Sequence, residues 1–159
     1  MDEETAVVVT VAIAAILVLA FVAYASLKPP PSEEFVVLAT LGPNKMATDY
    51  PKEVGVGEPV KLWIEVDNYM GRVIWVDVVV KLGQNEQELP TTEKPAQLPV
   101  IREYRFFLAD RETRFLEFTH SINTPGENYD LIIELWLYDE EAHRFLFTGQ
   151  WNRITFDVV

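Results

Sequence analysis

No cysteine occurs in the 159 residues. That excludes a disulfide framework, a thiol nucleophile, thiolate zinc sites and iron–sulfur clusters. Histidine is nearly as scarce. His120 and His143 stand alone, without a partner at ligand spacing except Asp139, Glu140 and Glu141 ahead of His143 in a turn, where a solvated acidic tip is the expected structure. Serine occurs only at Ser26, Ser32 and Ser121, none within Gly-x-Ser-x-Gly, so a hydrolase triad has no anchor. Gly-rich phosphate loops and EF-hand spacings are missing as well. Positive charge is thin, with 13 Lys+Arg against 25 Asp+Glu and a net charge of −12. Such a chain repels phosphate backbones, and no basic stripe interleaved with aromatics offsets this, so nucleic acid is not an expected partner. Together these absences predict no catalytic residue, no metal site, no cofactor and no enzyme activity.

One long apolar run is present. Thr5 to Leu27 holds no charge, proline or glycine. As a helix rising about 1.5 Å per residue it reaches about 35 Å, enough to cross a ~30 Å hydrocarbon core. Residues 1–4 form an acidic tail ahead of it. Val7, Ile13, Leu17 and Phe21 mark the lipid-facing anchor, and Tyr24 sits where an interfacial aromatic belongs. Thr5, Thr10 and Ser26 can bond back to the helix's own carbonyls. A cleaved signal peptide is the competing reading, because Ala23-Tyr24-Ala25 imitates a small-x-small cleavage site. Against it, the n-region is acidic and the apolar run is too long. A single-pass protein of the cell membrane, with the lipid bilayer as first partner, is therefore expected. Lys28 alone favours a cytoplasmic C-terminal side.

Lys28-Pro29-Pro30-Pro31-Ser32 ends the helix, since proline breaks the hydrogen-bond ladder, and residues 28–33 form a short stiff stalk. Residues 34–159 then follow a period of two with turn punctuation, the pattern of strands. Strands are predicted at 35–41, 60–67, 72–82, 100–108, 113–121, 129–138, 144–148 and 154–158. The pair 60–67 and 72–82, joined by Asn68-Tyr69-Met70-Gly71, reads as a hairpin. Residues 83–98, with Pro90 and Pro95, read as a loop or edge crossing. Seven to eight strands in about 125 residues predict an all-β fold, an antiparallel β-sandwich. The run Pro125-Gly126-Glu127-Asn128-Tyr129 adds an immunoglobulin-like feature: Gly126 opens a turn and Tyr129 starts the penultimate strand, as in a tyrosine corner.

Leu41-Gly42-Pro43, Tyr50-Pro51 and Val56-Gly57-Glu58-Pro59-Val60 together resemble an uncharacterised archaeal membrane-protein family of unknown function, whose members carry a C-terminal immunoglobulin-like β-sandwich. The likeness covers roughly residues 33–159. It implies an archaeal origin and a domain on the extracellular side, and it brings no catalytic residues.

Alternation also exposes a set of aromatics. With Val60, Leu62, Ile64 and Val66 inward, Trp63 points out; the same logic turns Trp75 outward, and Ile132, Trp136 and Tyr138 with it. If the three strands are neighbours, these five residues form one partner-binding face larger than about 400 Å². If residues 83–98 or the Met46–Tyr50 segment fold over them, they are core instead. The expected function is a non-enzymatic, membrane-anchored interaction module, an accessory subunit of a larger membrane or cell-surface assembly with a protein partner. The alternative is a surface domain binding a small ligand or glycan through the same aromatic face.

Overall fold

The computed structural model describes residues 2–27, 33–85 and 89–159, and the chain divides into two compact units, Met1–Glu33 and Glu34–Val159. The first unit is a helix, α1 (Glu3–Leu27), with none of its residues buried. It is long and apolar enough to cross a membrane. It begins two residues before the apolar run, so Glu3 and Glu4 belong to its first turn and not to a separate tail. Carboxylates are favoured there by the positive end of the helix dipole. The Thr10 hydroxyl donates to the Ala6 carbonyl at 2.8 Å and Ser26 does the same to Val22, which satisfies both donors within the helix. The proline stalk, residues 28–32, lies outside the described residues.

The second unit is an immunoglobulin-like β-sandwich of eight strands: β1 (Phe35–Leu41), β2 (Glu53–Val54), β3 (Pro59–Tyr69), β4 (Ile74–Gln84), β5 (Val100–Leu108), β6 (Thr113–Ser121), β7 (Gly126–Asp139) and β8 (Arg144–Val158). A three-stranded sheet runs β1-β3-β6 and a five-stranded sheet runs β2-β8-β7-β4-β5. All pairings are antiparallel except the two-residue β2, which lies parallel to the end of β8. The core lies between the sheets. Leu62, Ile64 and Val66 of β3 and Phe118 of β6 face Val76, Val78 and Val80 of β4, Leu131, Ile133 and Leu135 of β7, and Phe156 of β8, all of them buried.

Two expectations fail for identifiable reasons. First, β3 and β4 are not a hairpin, for they lie in different sheets. Asn68, fully buried at the end of β3, redirects the chain. Its Nδ2 is shared among the carbonyls of Arg72 (2.8 Å), Leu108 (2.9 Å) and Ala109 (3.0 Å), and its Oδ1 accepts from the Met70 N–H at 2.9 Å. Those bonds tie the β3–β4 link to the β5–β6 link. Second, the last two predicted strands are one, β8. Gly149, with φ +83°, absorbs the irregularity next to a register shift between β7 and β8, so the ladder continues past it. A Cβ there would lie 2.5 Å from the Thr92 carbonyl oxygen, so the residue also admits a crossing loop.

That loop is the segment after β4. Its described part, residues 89–99, passes over the outer face of the five-stranded sheet and buries Ala96. At the other side of the sandwich, the edge of β1 is closed by amides from β8. Gln150 Nε2 donates to the Val36 carbonyl at 2.8 Å, and Asn152 Nδ2 reaches the Leu38 carbonyl and Thr40 Oγ1. The Tyr50 hydroxyl donates to the Thr40 carbonyl at 2.7 Å.

Tyr129 is buried at the start of β7, and its hydroxyl donates to the Thr124 carbonyl at 3.1 Å, five residues upstream. Gly126 makes room for it: a Cβ would come within 3.2 Å of the Tyr129 ring and 2.6 Å of Gln84 Nε2. This is the geometry of a tyrosine corner. Tyr129→Phe is expected to lower stability by about 1 kcal/mol, the value of one such bond. A denaturation midpoint unchanged from the parent would show that the bond contributes nothing.

Candidate functional site

The outer face of the five-stranded sheet is charged and yet buried. Alternation along β4 places Asp77 and Lys81 there, and along β7 Asp130 and Glu134, and all four are nearly inaccessible. Each is answered by an opposite charge or a donor. Lys81 Nζ lies 2.8 Å from Glu134 Oε2, Arg105 Nε 2.7 Å from Asp77 Oδ2, and Arg153 Nε 2.7 Å from Asp130 Oδ1. The crossing loop completes the first pair: the Ala96 N–H donates to Glu134 Oε1 at 2.6 Å and Lys81 donates to the Ala96 carbonyl at 2.6 Å. Asp77 is less well served. Its Oδ1 is buried without a hydrogen bond, and burial pushes its carboxyl up from the usual range against the opposing pull of Arg105.

Next to these charges lies an aromatic cluster that the loop leaves open. The Trp75 ring is stacked on Phe107 at 5.3 Å, tilted against Tyr138 at 4.8 Å and edge-on to Phe145 at 5.0 Å; Tyr138 and Phe145 meet at 5.4 Å. Phe107 is 62% exposed. Trp136 packs on Phe147 at 5.5 Å and donates its Nε1 to Glu134 at 3.1 Å, joining the cluster to the buried pair. The Arg105 guanidinium lies 5.1 Å from the Phe145 ring centre.

A split in the sheet opens this cluster. The β4–β7 ladder begins at Val76↔Leu137, whereas Trp75 pairs only with Phe107 of β5 and Tyr138 only with Phe145 of β8. The gap is a cleft of about 340 Å³ lined by Val73, Trp75, Phe107 and Tyr138, with Arg72 and Glu140 as its charged groups. A larger recess of about 910 Å³ lies between β1 and β8, but Thr40, Tyr50 and Asn152, which line it, already bond within the sandwich.

The expected five-residue face is therefore corrected in two places. Trp63 lies on β3, in the three-stranded sheet, away from Trp75 and Trp136. There its Nε1 donates to the Pro43 carbonyl at 3.2 Å and Lys45 Nζ stands 4.0 Å over its ring, so the segment after β1 covers it. Ile132 does face outward, but it is fully buried on the face the crossing loop covers. Trp75, Trp136 and Tyr138 remain together and half-buried. Sequence reasoning missed Phe107, Phe145 and Phe147. The signal was available for the first, because alternation in Val100–Leu108 sets Glu103, Arg105 and Phe107 on one face. Among the described residues no group of three or more His, Asp or Glu is arranged to hold a metal ion. His120 lies on β6, and burial lowers its pKa, with the Arg102 charge adding to the effect.

Comparison with known proteins follows from this geometry. The profile of the family described as domain of unknown function DUF1616 matches residues 29–147. The chain belongs to this family. Among curated protein sequences none matches it. Of solved structures, the crystallised CARDB domain of a Pyrococcus furiosus protein, in complex with di-metal ions, is similar at 16% identity and TM-score 0.52, covering 83% of this chain and 95% of that one. The solution structure of the same domain gives 17% identity and TM-score 0.49, with 79% and 97% covered. A β-glucosidase from Listeria innocua in complex with glucose has 12% identity and TM-score 0.48, covering 79% of this chain and 16% of the enzyme. At these identities the likeness is one of fold. The DUF1616 domain here thus has a CARDB-like sandwich architecture.

Proposed function

We propose that this DUF1616 chain is a membrane-anchored, non-enzymatic interaction module, an accessory subunit of a larger membrane or cell-surface assembly, with its sandwich on the extracellular side. An archaeal source, implied by the resemblance of its turns and strand starts, belongs to the same reading. The observation that carries it is the Trp75 cluster. One exposed apolar side chain needs no explanation, but a contiguous group of rings centred on a tryptophan, rimmed by charge, is the anatomy of a contact surface. The helix Glu3–Leu27, uncharged from Thr5 onward, supports the anchor.

Two measurements test this reading. The intact mass of the chain extracted from native membranes is expected to include residue 1 or 2, and a mature chain starting near Ser26 would overturn the anchor. A photo-cross-linker placed at Trp75 is expected to capture defined protein partners in those membranes, whereas the same group at Val56, exposed in a distant turn, captures none of them.

A further inference from the structure

The cleft between β4 and β7 combines rings with unanswered negative charge. Trp75, stacked on Phe107 and packed against Tyr138, supplies a continuous ring surface, while Glu140 lines the opening and Glu141 follows it in the same turn. Neither Glu140 nor Glu141 has an ion-pair partner among the described residues. Asp139 adds a third carboxylate, held in part by the Ala142 N–H, which donates to it at 2.6 Å. Arg72 supplies one opposing charge. The faces of aromatic rings attract cations, most strongly tryptophan, and a nearby carboxylate strengthens the site. The sheet already uses this chemistry internally a few ångströms away, where Arg105 lies over Phe145 while paired with Asp77.

We propose that this cleft docks a cationic segment of a partner protein, with a Lys or Arg side chain seated against Trp75, Phe107 and Tyr138 and its charge answered by Glu140 and Glu141. The inference rests on the interaction-module reading and adds the chemistry of the partner. Charge complementarity favours it: a −12 chain whose cleft is edged by an Asp-Glu-Glu turn repels an anionic lipid surface and attracts a basic peptide. The cleft lies where the β4–β7 ladder has ended, since Trp75 and Tyr138 form no ladder pair and meet only through their rings.

The test uses the full chain in detergent micelles and two labelled octapeptides, one alternating Lys with Leu and the other alternating Glu with Leu, followed by fluorescence anisotropy. The Lys peptide is expected to bind at least roughly tenfold more tightly than the Glu peptide. Phe107→Ala, at an exposed position, is expected to weaken Lys-peptide binding roughly tenfold or more. The double change Glu140→Gln with Glu141→Gln weakens it several-fold and flattens its salt dependence, and Val56→Ala leaves it unchanged. Equal binding of both peptides, or binding indifferent to Phe107→Ala, overturns the proposal. So does a polarity-sensitive dye on Phe107→Cys that reports an apolar setting in anionic nanodiscs without peptide, since the lipid then occupies the cleft. The wider reading fails separately, when alkaline carbonate strips the chain from membranes, and that result leaves peptide binding in micelles untouched.

Discussion

Glu134→Ala is expected to destabilise the sandwich by about 3–5 kcal/mol, the largest effect of any single polar change in the chain. Glu134 is fully buried and serves three donors: Lys81 Nζ, the Ala96 N–H and Trp136 Nε1. Truncation leaves the Lys81 ammonium buried at 6% exposure with no carboxylate, held by the Ala96 carbonyl and the Trp136 ring 5.9 Å away, and it orphans the amide that fastens the crossing loop. Breaking such a pair costs much more than the pair itself contributes, because the remaining charge keeps its desolvation penalty. The combined change Lys81→Met with Glu134→Leu is therefore expected to recover a substantial part of the loss, leaving the unanswered Ala96 amide and Trp136 Nε1 as the residual cost. Denaturant titration of the two variants beside the parent reads both. A double variant as unstable as Glu134→Ala would show that the loop amide and the indole N–H, and not the stranded lysine, dominate.

Asn68→Ala is expected to cost about 3 kcal/mol, since it strands several buried backbone groups at once. One side chain joins the links on either side of the sheet change, through the carbonyls of Arg72, Leu108 and Ala109 and the Met70 amide. The backbone of the same residue accepts from the Arg111 amide at 2.7 Å and donates to the Glu112 carbonyl at 3.1 Å. Loss of the amide frees the segments that carry Val73 and Phe107, so hydrogen exchange in residues 69–75 and 107–112 is expected to rise together. Exchange confined to the first of these stretches would refute the idea that Asn68 couples them.

Much of the architecture was legible because a strand with one buried face writes that fact into every second residue. Strands β1, β5 and β6 run over the residues their alternation marks, and the inward sets of β3, β4 and β7 are the core. The assignment of strands to sheets was not legible, because alternation says which side is wet and is silent about neighbours. Asn68-Tyr69-Met70-Gly71 has turn chemistry suited to a hairpin, and only the long-range bonds of Asn68 to Leu108 and Ala109 turn it into a crossing. That one error moved Trp63 onto the wrong face. The burial of the outward charges Asp77, Lys81, Asp130 and Glu134 was not legible either. They look like a solvated surface, and the partners that bury them, Arg105, Arg153 and the loop at Ala96, are distant in sequence. Of the candidate site, Trp75, Trp136 and Tyr138 could be read from period two alone, whereas the apposition of Trp75 to Phe107, of Tyr138 to Phe145 and of Trp136 to Phe147 depends on strand order.

The side-chain amides along β1 bear on crowding. An open strand edge is a template for a second copy, and confinement of molecules to a plane raises their encounter rate and pre-aligns them for such pairing. Gln150 and Asn152 occupy the carbonyls of Val36 and Leu38 that an incoming strand would need. The far edge of the same sheet, β6, carries Arg114 and Glu117, and β5, an edge of the five-stranded sheet, presents Arg102, Glu103 and Arg105, charges that disfavour a flat apolar partner. Copies packed densely on a surface can thus collide edge to edge without seeding a continuous sheet, and the domain stays a discrete unit at concentrations where an unguarded sandwich would coalesce.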